Sequence, residues 1–267
     1  MKPIQKVALL HSLCSVGKAS LTNMIPVLSA MGIEACPIPT ALLSTHTGGY
    51  GAPAVQVTPP DYIRNCANHY VQNDVQFDMI FVGYIGNPEN AQAIQYFIQQ
   101  FPKAIVVIDP IMGDHGRFYQ NMGQAYADAY FELLPYAALV VPNLTEACIL
   151  SGHQYQEAKD LCEFLHEKGA DNVIITSVSQ TSETIDIAFS TGTVTDMLSL
   201  PAEVTNFHGT GDLFNAVLLG AFLQDIPLQE SILKAHHFVS ACIPESSAHE
   251  YDKREGLLVE KLLSTLV

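Results

Sequence analysis

Short, nearly continuous apolar runs recur along the chain, at Val7–Leu10, Ala35–Pro39, Met79–Val82, Ala104–Ile108, Leu139–Val141, Val173–Thr176 and Ile185–Phe189. Few of them alternate with polar residues, so they suit strands covered on both faces, as in a parallel sheet. Between them lie helical patterns, predicted over 18–31, 60–73, 88–101, 121–134, 154–168, 210–224, 228–242 and 255–266. Strand and helix in regular succession predict an α/β fold with one doubly wound, mostly parallel central sheet flanked by helices. No internal repeat, low-complexity tract or long linker interrupts the pattern, so residues 1–267 read as a single domain. A small excursion is expected near residues 40–57, where His46-Thr-Gly-Gly-Tyr-Gly-Ala-Pro53 reads as a glycine-rich turn or hairpin. In such sheets ligands bind beyond the carboxyl ends of the strands, so the residues just after each strand are where function is expected.

Charge narrows the ligand classes. The chain carries 12 Lys and Arg against 27 Asp and Glu, a formal net charge of −15. That balance argues against a nucleic-acid or anionic-membrane surface. A polyanionic ligand would have to be met locally, by backbone N–H groups, a metal ion or a placed lysine. The 6 cysteines form no C-x-x-C pair and no zinc spacing, which reads as reduced thiols in a cytoplasmic protein. The 10 histidines show no H-x-x-x-H pair and read as structural. Val7–Leu10 is shorter than the ~7–15 apolar residues of a signal peptide. Ala216–Leu223 is too short to span a bilayer.

Two phosphate-binding patterns fail on inspection. The turn from Ser12 to Ser20 resembles a phosphate loop, but Ser12 and Ala19 stand where that loop needs Gly and Ser or Thr. The first strand is not followed by G-x-G-x-x-G, which disfavours a dinucleotide site. Gly209-Thr210-Gly211-Asp212, in contrast, runs straight into a helix that is apolar on nearly every face. Such a helix is buried, and its start directs free N–H groups and the positive dipole end into a protected place. The glycines permit close approach of an anion, and Thr210 adds a donor. Asp212 then has two readings: a helix cap, or a proton acceptor for an attacking hydroxyl.

G-T-G-D opening a buried helix resembles the signature of the ribokinase-like small-molecule kinases. Further segments follow in order: Ser44-Thr-His46-Thr47-Gly, Val82-Gly83-Tyr84, Asp109-Pro-Ile-Met-Gly-Asp114, Pro142-Asn143-Leu-Thr-Glu146 and Ile175-Thr176-Ser177. They resemble the S-N-H-T-G, x-G-Y, D-P-V-M-G-D, P-N-x-x-E and T-S segments of pyridoxal kinases. Within the superfamily the chain is most similar to the bacterial pyridoxal/pyridoxamine kinase group. The resemblance covers nearly the whole chain and implies a three-layer ribokinase-like fold. It implies ATP-dependent phosphorylation of the 5′-hydroxymethyl group of a vitamin B6 vitamer (pyridoxal, pyridoxamine or pyridoxine). Asp212 would be the general base, and Gly209, Thr210 and Gly211 the anion hole. Asp109 and Glu146 would hold Mg²⁺, with Asn143 orienting them. ATP would meet Asp109, Asp114, Asn143, Thr176, Ser177, Thr210, Phe207 and His208. Ser12, Thr47 and Tyr84 would face the vitamer, and Met112–Gly123 would form a flexible cover.

The resemblance also implies a homodimer, and a monovalent cation such as K⁺ beside the anion hole, to which no residue is assigned. Other readings stay open on the residues alone. Asn143-x-x-Glu146 is also a capping box, and Asp109 before Pro110 is also a strand-end turn residue. Lys18 reads as a solvent-facing residue at a helix start. Where pyridoxal kinases carry Ser-His and then Gly-Tyr after the first strand, this chain has Ser12-Leu13 and Gly17-Lys18. A hydroxymethylpyrimidine or sugar kinase of the same fold is an alternative, as is a non-catalytic pyridoxal phosphate- or nucleotide-binding protein.

Overall fold

The computed structural model describes residues 4–152, 157–192, 194–203 and 207–267. The first strand, β1 (Gln5–Val16), leads through α1 (Leu21–Ala30) to β2 (Ile33–Thr45) and β3 (Val55–Val57). Next come α2 (Pro60–Gln72), β4 (Met79–Val82), α3 (Ala91–Gln100) and β5 (Ile105–Ile108). A small hairpin follows, β6 (Gly113–Asp114) and β7 (Arg117–Phe118), then α4 (Gln124–Phe131), β8 (Leu139–Val140), α5 (Leu144–Ser151) and α6 (Ala158–Glu167). The chain continues through β9 (Val173–Gln180), β10 (Thr184–Ser190), β11 (Thr195–Pro201), α7 (Thr210–Leu223) and α8 (Leu228–Ser247).

Among the described residues the main sheet has nine strands in the order β11-β10-β9-β8-β5-β4-β1-β2-β3. The strands from β9 through β2 in that order pair in parallel, while β10, β11 and β3 add antiparallel edges. Both faces of the parallel part are buried, which explains its continuous apolar runs. Ala8, Leu10, Ile80 and Val82 pack with Ile63 of α2, Phe97 of α3, Tyr130 of α4 and Leu161 of α6. Val7, Leu9, Met79 and Phe81 point the other way, to Leu21 of α1, Leu218 of α7 and Phe238 of α8. Odd residues of β1 and β4 thus serve one layer and even residues the other, and three layers result.

From β1 the chain moves outward to β2 and later resumes on β1's other side with β4. The order reverses between β1 and β4, and the carboxyl ends of those two strands flank the crevice where doubly wound sheets bind ligands. The helix α7 starts in that region, its Leu213–Ala221 stretch wholly buried. β1 and β2 extend beyond the predicted runs and pair as far as Val16 and Thr45, with a register shift between His11 and Ser12. The excursion near 40–57 is the β2–β3 hairpin and its glycine-rich connection.

Several predicted boundaries are corrected. The helix expected over 154–168 is α6, which starts at Ala158; residues 154–156 lie outside the described residues. α5 emerges where only the Asn143–Glu146 capping pattern pointed to a helix start. The stretch predicted as helix over 255–266 forms no α-helix: it holds the last residue of a 3₁₀ turn at Lys253–Glu255 and another 3₁₀ turn at Leu263–Leu266. Its backbone groups find tertiary partners instead: Glu255 O accepts from Lys18 N at 2.8 Å, and Leu258 N donates to Ser246 Oγ at 2.8 Å. Gly256, at φ +83°, lies so close to Lys18 that a Cβ would sit 2.6 Å from the Lys18 carbonyl oxygen. The Met112–Gly123 stretch expected as a flexible cover contains the β6–β7 hairpin, tied to α5 by Gly116 N donating to Thr145 Oγ1 at 2.9 Å.

Candidate active site

The turn before α7 is built around a glycine that no other residue replaces easily. Gly209 caps the helix in the left-handed region at φ +77°. A Cβ there would lie 2.1 Å from Lys18 O and 2.8 Å from Asn23 Nδ2. The buried Asn23 amide explains the closeness: it donates to Lys18 O at 2.9 Å and Gly209 O at 3.0 Å, clamping the β1–α1 turn against the start of α7. Thr210 and Gly211 open the helix, so the amides of residues 209–212 belong to its unpaired N-terminal set. Lys18 is not solvent-facing as expected. It is half-buried, donates from Nζ to Tyr251 Oη at 2.8 Å, and lies 3.5 Å from Glu260.

Asp212 lies in the first turn of α7 and keeps 13% of its side chain exposed. It is not a cap of its own helix: its carboxylate reaches across to β1 and to the turn before α1. Oδ1 lies 2.9 Å from His11 Nε2, and Oδ2 accepts the Ser20 backbone N–H at 2.6 Å. Ser20 adopts φ +55° and ψ −137°, an uncommon conformation for a residue with a side chain. Ser12 is buried at the register shift in β1, and its hydroxyl donates to Ser20 Oγ at 2.8 Å. Sequence reasoning missed His11, which it passed over as one structural histidine among ten. Its position near the ligand-binding end of the first strand is the signal that could have singled it out.

Two further carboxylates sit after neighbouring strands. Asp109 follows β5 and Glu146 opens α5, both buried. Asp109 Oδ2 accepts from Asn215 Nδ2 of α7 at 2.6 Å. Burial, then the charges of Glu146 and Asp212, push the Asp109 carboxyl well above the usual carboxylate range. Burial also raises Glu146, to about 8, against the opposing pull of the Asn143, Met112 and Gly113 amides. Those amides engage both its oxygens: Asn143 N donates to Oε2 at 2.9 Å, Met112 N and Gly113 N to Oε1 at 3.1 and 3.5 Å. Asn143 Oδ1 in turn accepts from Glu146 N at 3.0 Å, so the capping box is fully formed. Asn143 Nδ2 donates to Gly113 O at 2.8 Å, linking the hairpin to this corner. Among the described residues no three His, Cys, Asp or Glu side chains converge as a metal cage. Two carboxylates whose charge the protein alone leaves poorly compensated nevertheless fit Mg²⁺. That ion is commonly held by one or two carboxylates together with substrate phosphates.

Tyr84, just after β4, donates its hydroxyl to Gly86 O at 2.8 Å and lies parallel to Tyr126 with ring centroids 6.3 Å apart. Thr47 is exposed in the glycine-rich connection. That connection meets the exposed His208: a Cβ on Gly48 would lie 2.5 Å from the His208 ring. Phe207 is buried, with Lys253 Nζ 5.8 Å from its ring centroid. Asp114 lies in β6, its Oδ1 accepting from His115 N at 2.7 Å. Thr176 and Ser177 are not at a strand end as expected but within β9, where Ser177 takes φ +55°. Thr176 N donates to Pro142 O at 2.9 Å, which brings it beside Asn143. A cleft of about 640 Å³ lined by Leu144, Val178 and Met197 opens one residue beyond each of Asn143 and Ser177. A second cleft, of about 460 Å³ and lined by Gln5, Asp78 and Ile105, lies at the opposite, amino-terminal end of the strands.

Residues 17–256 match the phosphomethylpyrimidine kinase family model. The chain belongs to that family. Solved structures align over nearly all of the chain. A candidate phosphomethylpyrimidine kinase from Bacteroides thetaiotaomicron, in a crystal form with pyridoxal, is 33% identical over 98% of this chain and 96% of its own, with a TM-score of 0.92. Pyridoxal kinase from Lactobacillus plantarum is 31% identical over 100% of this chain and 97% of its own, with a TM-score of 0.90. Pyridoxal kinase of Ovis aries is 30% identical, covering 72% of this chain and 69% of its own. The family thus shares the ribokinase-like fold with pyridoxal kinases, as the G-T-G-D resemblance implies. Some curated relatives are longer. The chain spans 59% of a candidate pyridoxal kinase of Schizosaccharomyces pombe and 47% of a bifunctional thiamine biosynthesis protein of Geobacter sulfurreducens.

Proposed function

We propose that the chain is an ATP-dependent kinase that phosphorylates the 5′-hydroxymethyl group of a vitamin B6 vitamer, with residues 1–267 acting as one kinase domain. The observation that carries this reading is the Asp212 carboxylate, held by two donors beside the amides of the Gly209–Asp212 turn. Asp212 takes the hydroxyl proton as the alcohol oxygen bonds to the γ-phosphorus of ATP and the bond to ADP breaks. The Gly209, Thr210, Gly211 and Asp212 amides, at the positive end of α7, meet the charge on the transferred phosphoryl group. Proximity and electrostatics suffice, because phosphoryl transfer asks little covalent chemistry of the protein.

Asp109 and Glu146 would hold Mg²⁺, in part through water, with Asn143 fixing Glu146. The ion supplies neutralisation of phosphate charge when bound. Asp114, Asn143, Thr176 and Ser177 would line the phosphate path, and Phe207 and His208 the adenine side. Ser12, Thr47 and Tyr84 would contact the vitamer, Tyr84 through its ring face. K⁺ near the anion hole, a homodimer and a cytoplasmic location complete the reading. No described helix is long and apolar enough to cross a membrane.

Pyridoxal in the Bacteroides crystal form favours a B6 ring as acceptor. The family match favours a second reading, phosphorylation of a hydroxymethylpyrimidine. Both acceptors are flat heteroaromatic rings bearing a primary alcohol. The deciding experiment adds pyridoxal, pyridoxamine, pyridoxine, hydroxymethylpyrimidine or ribose singly to enzyme and Mg·ATP and follows ADP. ADP formation with a B6 vitamer is expected. Turnover with hydroxymethylpyrimidine alone would move the assignment to the second reading, and turnover with none would leave a binding protein.

A further inference from the structure

His11 is the side chain on which the Asp212 carboxylate leans, and its own surroundings fix which proton it carries. Only 1% of the side chain is exposed. Its Nδ1 accepts two backbone donors, Ser12 N at 2.8 Å and Tyr84 N at 3.0 Å. Backbone amides only donate, so Nδ1 presents a lone pair and the ring proton resides on Nε2. That Nε2–H faces Asp212 Oδ1 at 2.9 Å. The imidazole therefore cannot relay a proton from Asp212 onward through Nδ1 without giving up both amides. Room for the ring comes from Gly83, where a Cβ would lie 2.8 Å from His11 Cγ. The Val82-Gly83-Tyr84 segment, of which the sequence reading assigned only Tyr84 to the vitamer, thus seats the ring at Gly83 and supplies one of its two donors from Tyr84 N.

We propose that His11 is the positioning residue of the general base: a neutral, Nε2-protonated imidazole that, with the Ser20 amide, fixes the plane of the Asp212 carboxylate toward the incoming alcohol. This rests on the reading of Asp212 as the proton acceptor. Each carboxylate oxygen spends one lone pair on a fixed donor, one from β1 and one from the turn before α1. The lone pairs left over then point in directions set by the sheet rather than by a free rotor about Asp212 χ2. A misplacement of about 1 Å in such a group is enough to lower turnover about 100-fold.

The test combines two measurements. Nitrogen-15 NMR of the histidine-labelled, ligand-free protein at neutral pH should show the His11 ring protonated at Nε2 and unprotonated at Nδ1. Steady-state kinetics with the alcohol that turns over fastest should show His11→Ala lowering kcat about 10–100-fold while the KM for ATP stays within about twofold. His11→Gln, which places an amide N–H toward Asp212, should recover most of the loss. In an Asp212→Ala background, His11→Ala should change kcat no further, since the group it positions is gone. A ring protonated at Nδ1, wild-type kcat in His11→Ala, or an equal loss in the Asp212→Ala background would each overturn the proposal. Should His11→Ala fail to fold, His11→Gln and the NMR measurement decide it. No turnover with any alcohol would overturn the kinase reading and, with it, His11's part in turnover, and an Nε2-protonated ring would then mark the geometry as sound and the function as the error.

Discussion

Gly209 offers the sharpest quantitative handle on the site. In Gly209→Ala the new Cβ meets the Lys18 carbonyl oxygen at 2.1 Å, where ordinary carbon–oxygen contacts begin near ~3.3 Å. The backbone on one side must therefore move by about 1 Å. Neither side is free, because Asn23 bonds both the Lys18 and Gly209 carbonyls. Holding alanine in the left-handed region adds roughly 1–2 kcal/mol, and overpacking a tight contact typically adds about 1–3 kcal/mol. The sum is about 2–5 kcal/mol, and at ~2 °C or more per kcal/mol for a chain of this size the melting temperature should fall by at least ~4 °C. Calorimetry would measure it, with Gly211→Ala as the control. A Cβ at Gly211 meets nothing within 4 Å, and alanine is the better helix former, so that variant should melt at or above the wild type. ADP formation should fall in Gly209→Ala even below its melting range, because the amides of the turn move with residue 209. A melting temperature within about 1 °C of wild type, by the ~2 °C per kcal/mol scaling, would refute the clash argument.

Other expectations follow from the same geometry. Asn23→Ala removes a buried amide with two bonds and should destabilise the fold by about 1–3 kcal/mol; an unchanged denaturant midpoint would contradict the clamp. Glu146, at about 8 in the fold against an ordinary 4.5, keeps its proton where the unfolded chain has lost it. The folded state then binds more protons, so this group's stabilisation falls as pH rises from about 5 to about 8, by at most ~1.4 kcal/mol per pH unit. Metal-free wild type should accordingly lose stability relative to Glu146→Gln across that window, and parallel curves would contradict it. Glu146→Gln can keep the capping box, since Gln serves at that position, yet it should raise the Mg²⁺ concentration needed for half-maximal turnover. An unchanged metal titration would reduce Glu146 to a helix cap.

Much of this was legible in the amino-acid order. Met79–Val82 and Ala104–Ile108 read as buried strands because both faces of a parallel sheet are covered, leaving no polar alternation to confuse the signal. Gly209-Thr210-Gly211-Asp212 stood out because a polar glycine turn feeding an all-apolar helix puts free amides and a carboxylate at the edge of a buried core. Asn143-x-x-Glu146 declared the start of α5, and both halves of that box formed. What stayed hidden depended on distant partners. His11 lies 201 positions from Asp212 and sits at the end of an ordinary apolar run. Ser20 bears no mark of its positive φ, which aims an amide at Asp212. The segment after Glu255 has a helix's apolar spacing, but Gly256 packing on Lys18 and Leu258 bonding Ser246 divert its backbone elsewhere. Lys18 looked like a solvated helix-start residue because its partners, Tyr251 and Glu260, lie just before and within that same diverted segment.

Asp212 as the acceptor of the alcohol's proton is the step on which the chemistry turns. The direct measurement is kcat for Asp212→Asn with Mg·ATP and pyridoxal, alongside ATP-analogue binding by calorimetry. Asparagine fills the same space and its amide oxygen can still accept one of the two donors, but it cannot take a proton. The prediction is a loss of about 10²–10⁴ in kcat with nucleotide affinity retained. Turnover near the wild-type rate would contradict it and leave Asp212 a structural link between β1 and α7.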